Sequence, residues 1–454
     1  MDWNRWYSLK SYVRSSLWTV PLIAVAVYAV VKPLTEMTGR WMIREGILDP
    51  RTGFLGLSMT GARSMVGDIV TANLSFLVFT FGSLLVAIQV AGGQYTPRII
   101  ATTLLRDNII RSVSGLFVFT LLFASRTLGW MGENEVHQLQ VFIAAMFGFA
   151  SVVAFLFLID YAAKFLRPVS LVARVGERGV EVIASVYPTP TVGPSPSTQD
   201  RDGRRGLPDR IVPHRGASGI VLAVNVPMLL THARRADIVI EIVPQVGDFV
   251  SMDEPLFYLY GNCAGIDEKK LSAFVAFGTE RTMEQDPMFA FRILVDIALK
   301  ALSAAINDPT TAVLAIDQLH RLLREVGKRS LHHEEIADRS GRARVILRTP
   351  NWEDFVHVGF REIRQCGAGS IQVARRLRAA IENLIQSLPE HRHDALRVEL
   401  RLLDRAIDSK HPFAEDQALV RIPDSQGLGG SATSNRKQLV LSEDTCAQTD
   451  HGHR

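Results

Sequence analysis

Glu280, Asp286, Asp296 and Asp308 stand out among the carboxylates of one short stretch of this chain. Acids at that density are the raw material of general acid–base catalysis or of hard-cation binding. Their immediate neighbours point elsewhere. Asp286-Pro287 and Asp308-Pro309 are two copies of one device, 22 residues apart. Each aspartate can accept hydrogen bonds from first-turn N–H groups. Each proline fixes φ at the first helical position, where its missing N–H is no loss. The spacing predicts helices over about 287–304 and 309–325. The first carries Arg292, Asp296 and Lys300 four apart, a plus-minus-plus ladder on one face. The second sets Val313, Ile316, His320 and Leu323 on one stripe. Glu280 has Arg281 as a neighbouring countercharge. Asp286, Pro287, Asn307, Asp308 and Pro309 therefore read as a helix-capping signature. No catalytic residue is assigned and the chain is not read as an enzyme.

The other candidates for chemistry are weaker. His332-His333 and His391-x-His393 read as solvent-facing histidines. No HExxH and no Gly-rich phosphate loop of Walker type occurs. Cys263, Cys366 and Cys446 are far apart and odd in number, which makes reduced thiols the expectation. No metal and no cofactor is expected.

The elements that must position these residues begin in a membrane. From Ile69 to Pro97 the chain runs 29 residues without a charged side chain. A helix rising about 1.5 Å per residue needs about twenty apolar residues to cross the hydrocarbon. Further uncharged runs are Ser15–Val31, Ser112–Ser125 and Val136–Ile159. The reading is a transmembrane domain over 1–165, with spans at about 17–31, 69–91, 112–130 and 139–161. Lys32-Pro33 closes the first span, which reads as a retained anchor. Lys and Arg are in excess at the N-terminus, in 92–111 and after the fourth span, whereas Glu133 and Glu135 occupy the third-to-fourth loop. The positive-inside rule then places both termini in the cytoplasm. Asn73, Gln89, Gln94 and Arg126 are the candidate pore or membrane polar residues, against a plainer role in interhelical hydrogen bonding.

Beyond the membrane the composition turns charged, which is why mean hydropathy is only +0.14 although 47% of residues are hydrophobic. A net charge of +4 is mild, and no nucleic-acid partner is expected. Residues 166–210 form a juxtamembrane segment and a Pro-rich linker. The runs Gly219–Val224, Ile238–Val243 and Pro255–Tyr260 signal strands of a β-module over 211–262. Val243–Val250 with Glu254–Phe257 resembles the barrel-sandwich fold of biotinyl and lipoyl carriers. A carrier needs a lysine on its tight turn, and none lies between Lys164 and Lys269, so covalent attachment is excluded. A helical α/β domain follows over 263–420, with a strand at 343–348 and helices from about 351, 371 and 393. Residues 421–454 read as a disordered tail. The fold class is thus a membrane protein of four transmembrane α-helices, with a cytoplasmic α+β region holding a small barrel-sandwich-like module and a helical C-terminal domain.

Several of these stretches are similar to a family of bacterial predicted membrane proteins, domain of unknown function 2254. They are Val86–Ala91 leading to Gln94-Tyr95-Thr96-Pro97-Arg98, the Gln285-Asp286-Pro287 site, Asp296–Ser303, and above all Ile306-Asn307-Asp308-Pro309-Thr310-Thr311-Ala312. Ala304-Ala305 departs from the pair expected before that string. The resemblance spans roughly 10–415 and implies a bacterial inner-membrane location, with no established activity. The leading expectation is a homo-oligomeric channel or transport-related protein whose partners are the lipid bilayer and further copies of itself. The alternative is a membrane-anchored scaffold or regulator that binds a cytoplasmic protein.

Overall fold

A computed structural model describes residues 3–4, 6–7, 19–45, 58–94, 107–131, 138–165, 167–191, 193, 206–263, 265–331 and 335–430. The chain divides into two compact units, one within residues 11–171 and the other formed mainly by 172–454 together with the first ten residues.

Among the described residues the first unit holds four long helices: α1 (Thr19–Arg44), α2 (Met59–Gln94), α3 (Asn108–Trp130) and α4 (Gln138–Phe165). All four are long and apolar enough to cross a membrane. The helix of the first span does not stop at Lys32-Pro33 but continues to Arg44. Proline is tolerated in an apolar helix where side chains supply local hydrogen bonds. Here Thr35 Oγ1 donates to the Lys32 carbonyl at 2.9 Å and Thr38 Oγ1 to that of Leu34 at 2.8 Å. The interior of this unit is filled by Ala24, Ala62, Val66, Phe119, Phe123, Val141 and Ala144. Phenylalanine rings close the remaining space, with Phe76 stacked on Phe155 at 4.3 Å and Phe119 edge-on to Phe147 at 4.9 Å. At Gly148 a Cβ would sit 2.9 Å from Ile69 Cγ1, so the close approach of α2 and α4 depends on the missing side chain.

The second unit opens with α5 (Pro168–Val186) and then alternates strands and helices. The strands are β1 (Arg210–Pro213), β2 (Gly219–Val224), β3 (Val239–Ile242), β4 (Phe249–Val250), β5 (Pro255–Tyr260), β6 (Val275–Gly278), β7 (Glu335–Ala337) and β8 (Ala343–Leu347). They form two open sheets, β1-β5-β3-β8-β7 and β4-β2-β6. This topology does not confirm the barrel-sandwich detail: among the described residues the strands close no barrel. The physical reason is β8, which arrives from outside 211–262 and pairs parallel with β3, Ile240 opposite Val345. The sheet therefore extends outward instead of closing. Both sheets share one core, in which Val221, Ile240, Phe257, Val275 and Val345 meet Leu229 and Ala233 of α6 (Val226–Ala236). Trp3 and Tyr7, from the start of the chain, pack against Leu222, Ala223 and Ala276.

After the short α7 (Glu268–Ser272), the C-terminal helices are α8 (Pro287–Ala301), α9 (Pro309–Gly327), α10 (Trp352–Gly367), α11 (Ile371–Ser387), α12 (His393–Lys410) and α13 (Ala414–Val420). A reciprocal cap starts α10: Asn351 accepts from the Asp354 N–H at 2.8 Å, and Asp354 accepts from that of Asn351 at 2.9 Å. Trp352, Phe291, Phe355 and Phe360 anchor the core between these helices. Residues 421–430, expected at the start of a disordered tail, are instead folded onto α11 through Arg375, Gln372 and the buried Asp424. The remaining tail, residues 431–454, lies outside the described residues.

Candidate functional site

The capping signature forms a joint within the second unit. Asp286 is buried, and its two oxygens are divided between two tasks. Oδ1 accepts from the Phe289 N–H at 3.1 Å, capping α8, while Oδ2 accepts from Arg281 Nε at 2.7 Å. Arg281 is thus the partner of Asp286, and its expected pairing with the exposed Glu280 is replaced. One residue earlier, Gln285 Oε1 accepts from the Val224 N–H of β2 at 2.9 Å. The Gln285-Asp286-Pro287 string therefore ties the three-stranded sheet to the first helix of the C-terminal layer. Burial pushes the Asp286 carboxyl up, and the Arg281 guanidinium pulls it back down.

The second copy is a turn as well as a cap. Asn307 holds the left-handed region at φ 49°, which Asn tolerates better than most non-glycine residues. The Asp308 N–H then donates back to the Ala301 carbonyl at 2.8 Å, and Pro309 begins α9. Asp308 accepts from the Thr311 N–H at 3.1 Å and from its hydroxyl at 2.5 Å. Every polar part of Asn-Asp-Pro-Thr-Thr that touches the helix start thus serves its geometry, and no carboxylate oxygen of Asp308 points to a free site. The ladder on α8 also turns inward: Arg292 pairs with Asp296 and forks onto Glu362 of α10, one contact at 3.1 Å.

A direct test separates cap from charge. Asp286→Ala is expected to destabilise the protein by about 2–3 kcal/mol, from a lost cap and an unpaired, part-buried Arg281. Asp286→Asn keeps a good cap and is expected to cost only about 1 kcal/mol. Thermal unfolding of the two variants checks the ranking.

His320 of α9 sits in a polar pocket of the same helical layer. Its Nε2 lies 3.0 Å from Asn383 Oδ1, and Arg376 Nη2 lies 3.3 Å from its Nδ1, while Arg376 Nε also donates to Asp317. Nε2 is assigned as donor and Nδ1 as acceptor, the arrangement that satisfies both contacts. Burial first, then the Arg376 charge, holds this imidazole below its ordinary pKa of 6.5. The unfolded chain then binds the proton more readily, so the stability contributed is complete above 6.5 and declines as pH falls below it. His320→Gln is expected to flatten the loss of thermal stability between about pH 7.5 and about pH 5.

Of the membrane candidates, Asn73 is buried, its Nδ2 donating to the Ile69 carbonyl of its own helix at 2.9 Å. Gln89 is exposed on α2, and Gln94 ends that helix with its side chain outside the described residues, as are Tyr95, Thr96, Pro97 and Arg98. Arg126 lies over the Trp130 ring at 4.6 Å. The structure joins no two of Asn73, Gln89 and Arg126 by a hydrogen bond. It supplies instead contacts that apolar-run counting passes over, such as Ser151 Oγ donating to Thr120 Oγ1 at 3.2 Å between α4 and α3. It also gathers Lys32 and Glu36 of α1 with Arg126 and Trp130 of α3 around one cleft. Their signal in the sequence is a four-residue charge spacing continuing past Val31. His391 contacts Thr191 and His393 the Leu388 carbonyl, while His332 and His333 lie outside the described residues. Among the described residues no three His, Cys, Asp or Glu gather as a metal site.

Four long apolar helices followed by a mixed sheet region and a helical region define the class as a membrane protein. The chain belongs to the family described as "Predicted membrane protein (DUF2254)", which matches residues 14–383. It is also similar to uncharacterized proteins of Mycobacterium tuberculosis (strain ATCC 25618 / H37Rv) and Mycobacterium bovis (strain ATCC BAA-935 / AF2122/97). Each is 24% identical over 430 residues, covering 92% of this chain and 81% of the relative. No solved structure matches.

Proposed function

We propose that this protein is a homo-oligomeric channel or transport-related protein of the bacterial inner membrane, whose path runs between copies along α2. The observation that carries the reading is the outward line of that helix. Thr71, Ser75, Gly82, Gln89 and Gly93 are all exposed. At 3.6 residues per turn they fall within an arc of about 40°, opposite the buried Asn73 and Thr80. Val78 and Val86 share the line, and bulky Leu74, Phe79, Phe81 and Leu85 flank it. A helix surrounded by lipid places its least polar residues outermost. This one places small and polar residues there, the pattern of a surface that meets another helix or water. Thr71 and Ser75 hydroxyls donate to carbonyls of their own helix, whereas the Gln89 amide has no hydrogen bond in the described chain. The phenylalanine packing inside the unit argues against a path through one copy.

The packing of Trp3 and Tyr7 on the β-module supports placing the N-terminus and the soluble part on one side, as four spans between them require. Basic flanks support calling that side cytoplasmic. No enzymatic activity and no cofactor are assigned, because Asp286, Asp296 and Asp308 are engaged in caps and ion pairs. Exposed Phe249 and Met252 on the β-module favour a second reading, a scaffold that docks a cytoplasmic protein.

The test is made on full-length protein reconstituted in vesicles loaded with a potassium salt. Gln89→Leu is expected to change salt efflux, and Ser75→Cys to form a disulfide between copies under mild oxidation. Unchanged efflux with no inter-copy disulfide overturns the channel and favours the scaffold.

A further inference from the structure

At the end of the first unit where α3 finishes and α4 begins, a cleft open to solvent lies between helices. It is lined by Tyr28, Lys32 and Glu36 of α1, by Arg126 and Trp130 of α3, and by Gln140 of α4.

Its charges are arranged with unusual economy. Lys32 Nζ stands 5.9 Å from the centre of the Trp130 ring, and the Arg126 guanidinium stands 4.6 Å from the same centre. Two cations thus line one cleft with the same indole, a setting that favours an anion there. Glu36, across the cleft, has a side chain only 15% exposed. Its Oε2 makes one loose contact with the exposed Arg40 at 3.8 Å, and its Oε1 is buried with no hydrogen-bond partner among the described residues. A buried carboxylate oxygen without a donor is costly, so a ligand that brings a donor is strongly favoured there. An anion alone satisfies the cations and leaves Glu36 as it is. A cation alone satisfies Glu36 and is repelled by the pair. A zwitterion satisfies both. Trp and Tyr with long cationic side chains also mark the depth at which headgroups lie.

The geometry points to a binding site for a phosphoethanolamine headgroup: Lys32 and Arg126 take its phosphate, and Glu36 Oε1 accepts from its ammonium. The proposal holds whether the protein is a channel or a scaffold, since it concerns a different face from the exposed line of α2.

The test uses full-length, delipidated protein in detergent, titrated with short-chain phosphatidylethanolamine, short-chain phosphatidylglycerol and inorganic phosphate, with binding read by native mass spectrometry. Phosphatidylethanolamine is expected to bind tightest. Glu36→Gln is expected to weaken it by about tenfold while leaving phosphatidylglycerol unchanged, and Arg126→Gln to weaken both lipids. Arg44→Gln, at the exposed end of α1, serves as the folded control and is expected to change neither. Equal binding of the two lipids with no effect of Glu36→Gln overturns the zwitterion assignment. Binding of inorganic phosphate as tight as of either lipid shows a bare phosphate site and overturns it also, as does the absence of any lipid binding.

Discussion

Arg364→Met is expected to destabilise the C-terminal helices by about 3–5 kcal/mol, the usual consequence of stranding one member of a buried ion pair. Arg364 Nε donates to Glu399 Oε2 at 3.1 Å, joining α10 to α12, and the two side chains are 13% and 1% exposed. Glu399 Oε1 already lacks a hydrogen-bond partner among the described residues, so Arg364 is its principal compensation. Removing the arginine leaves a buried carboxylate without its ion-pair partner. The double replacement Arg364→Met with Glu399→Leu removes the charge problem altogether, and is expected to lie within about 1 kcal/mol of the wild type or above it. Hydrogen exchange of the full chain reads both, as lost and then restored protection in α10 and α12. A double variant as unstable as the single one would mean that shape, not charge, holds this contact.

The second large effect is expected at Arg375, which is fully buried. Its Nε donates to the Ile422 carbonyl at 2.9 Å and its Nη1 to that of Gly429 at 2.7 Å. The segment it holds is organised by Asp424, whose carboxylate accepts from the N–H groups of Gln426, Gly427 and Gly429. Gly427 and Gly429 have φ of 70° and 77°, which glycine adopts without strain. Burial alone raises the Asp424 pKa, but these N–H groups and the Arg375 charge bring it below the usual value. Arg375→Met keeps the apolar stem and removes both charge-assisted bonds, an expected loss of about 2–4 kcal/mol. Exchange at the amides of Gly427 and Gly429 is expected to rise sharply, while α8 and α9 keep their protection. Unchanged exchange there would show that Asp424 holds the turn unaided.

These two sites mark the limit of what was legible in the chain. Both Asp-Pro caps could be read at once, because a cap is satisfied by N–H groups three residues away and a proline constrains its own φ. The helices after them, and the one opened at Asn351, follow from the same local rule, whereas those from Ile371 and His393 begin without a side-chain cap. Long uncharged runs announced the four apolar helices in the same way. At Pro33 a local rule misled: proline reads as a stop, yet Thr35 and Thr38 provide hydrogen bonds beside it and the helix runs on to Arg44. Residues 421–430 read as too polar to order, and they order because a buried arginine from α11 meets their carbonyls. The polar line of α2 was half visible. Gln89 and Ser75 stood out as polar, but only the packing showed that they point away from Asn73.

What the sequence determined by itself was the class of the molecule, four apolar helices ahead of a mixed α/β part, and the starts of its soluble helices. Both depend on properties of neighbouring residues: the transfer of a continuous apolar run out of water, and hydrogen bonds closed within one turn. The tertiary structure alone decided the parallel pairing of β3 with β8, the burial of Arg364 against Glu399, and the meeting of Lys32 and Glu36 with Arg126 and Trp130. Each joins residues far apart in the chain, and the free energy of such a contact is set by what surrounds it once the chain has closed. No window of sequence contains that surrounding.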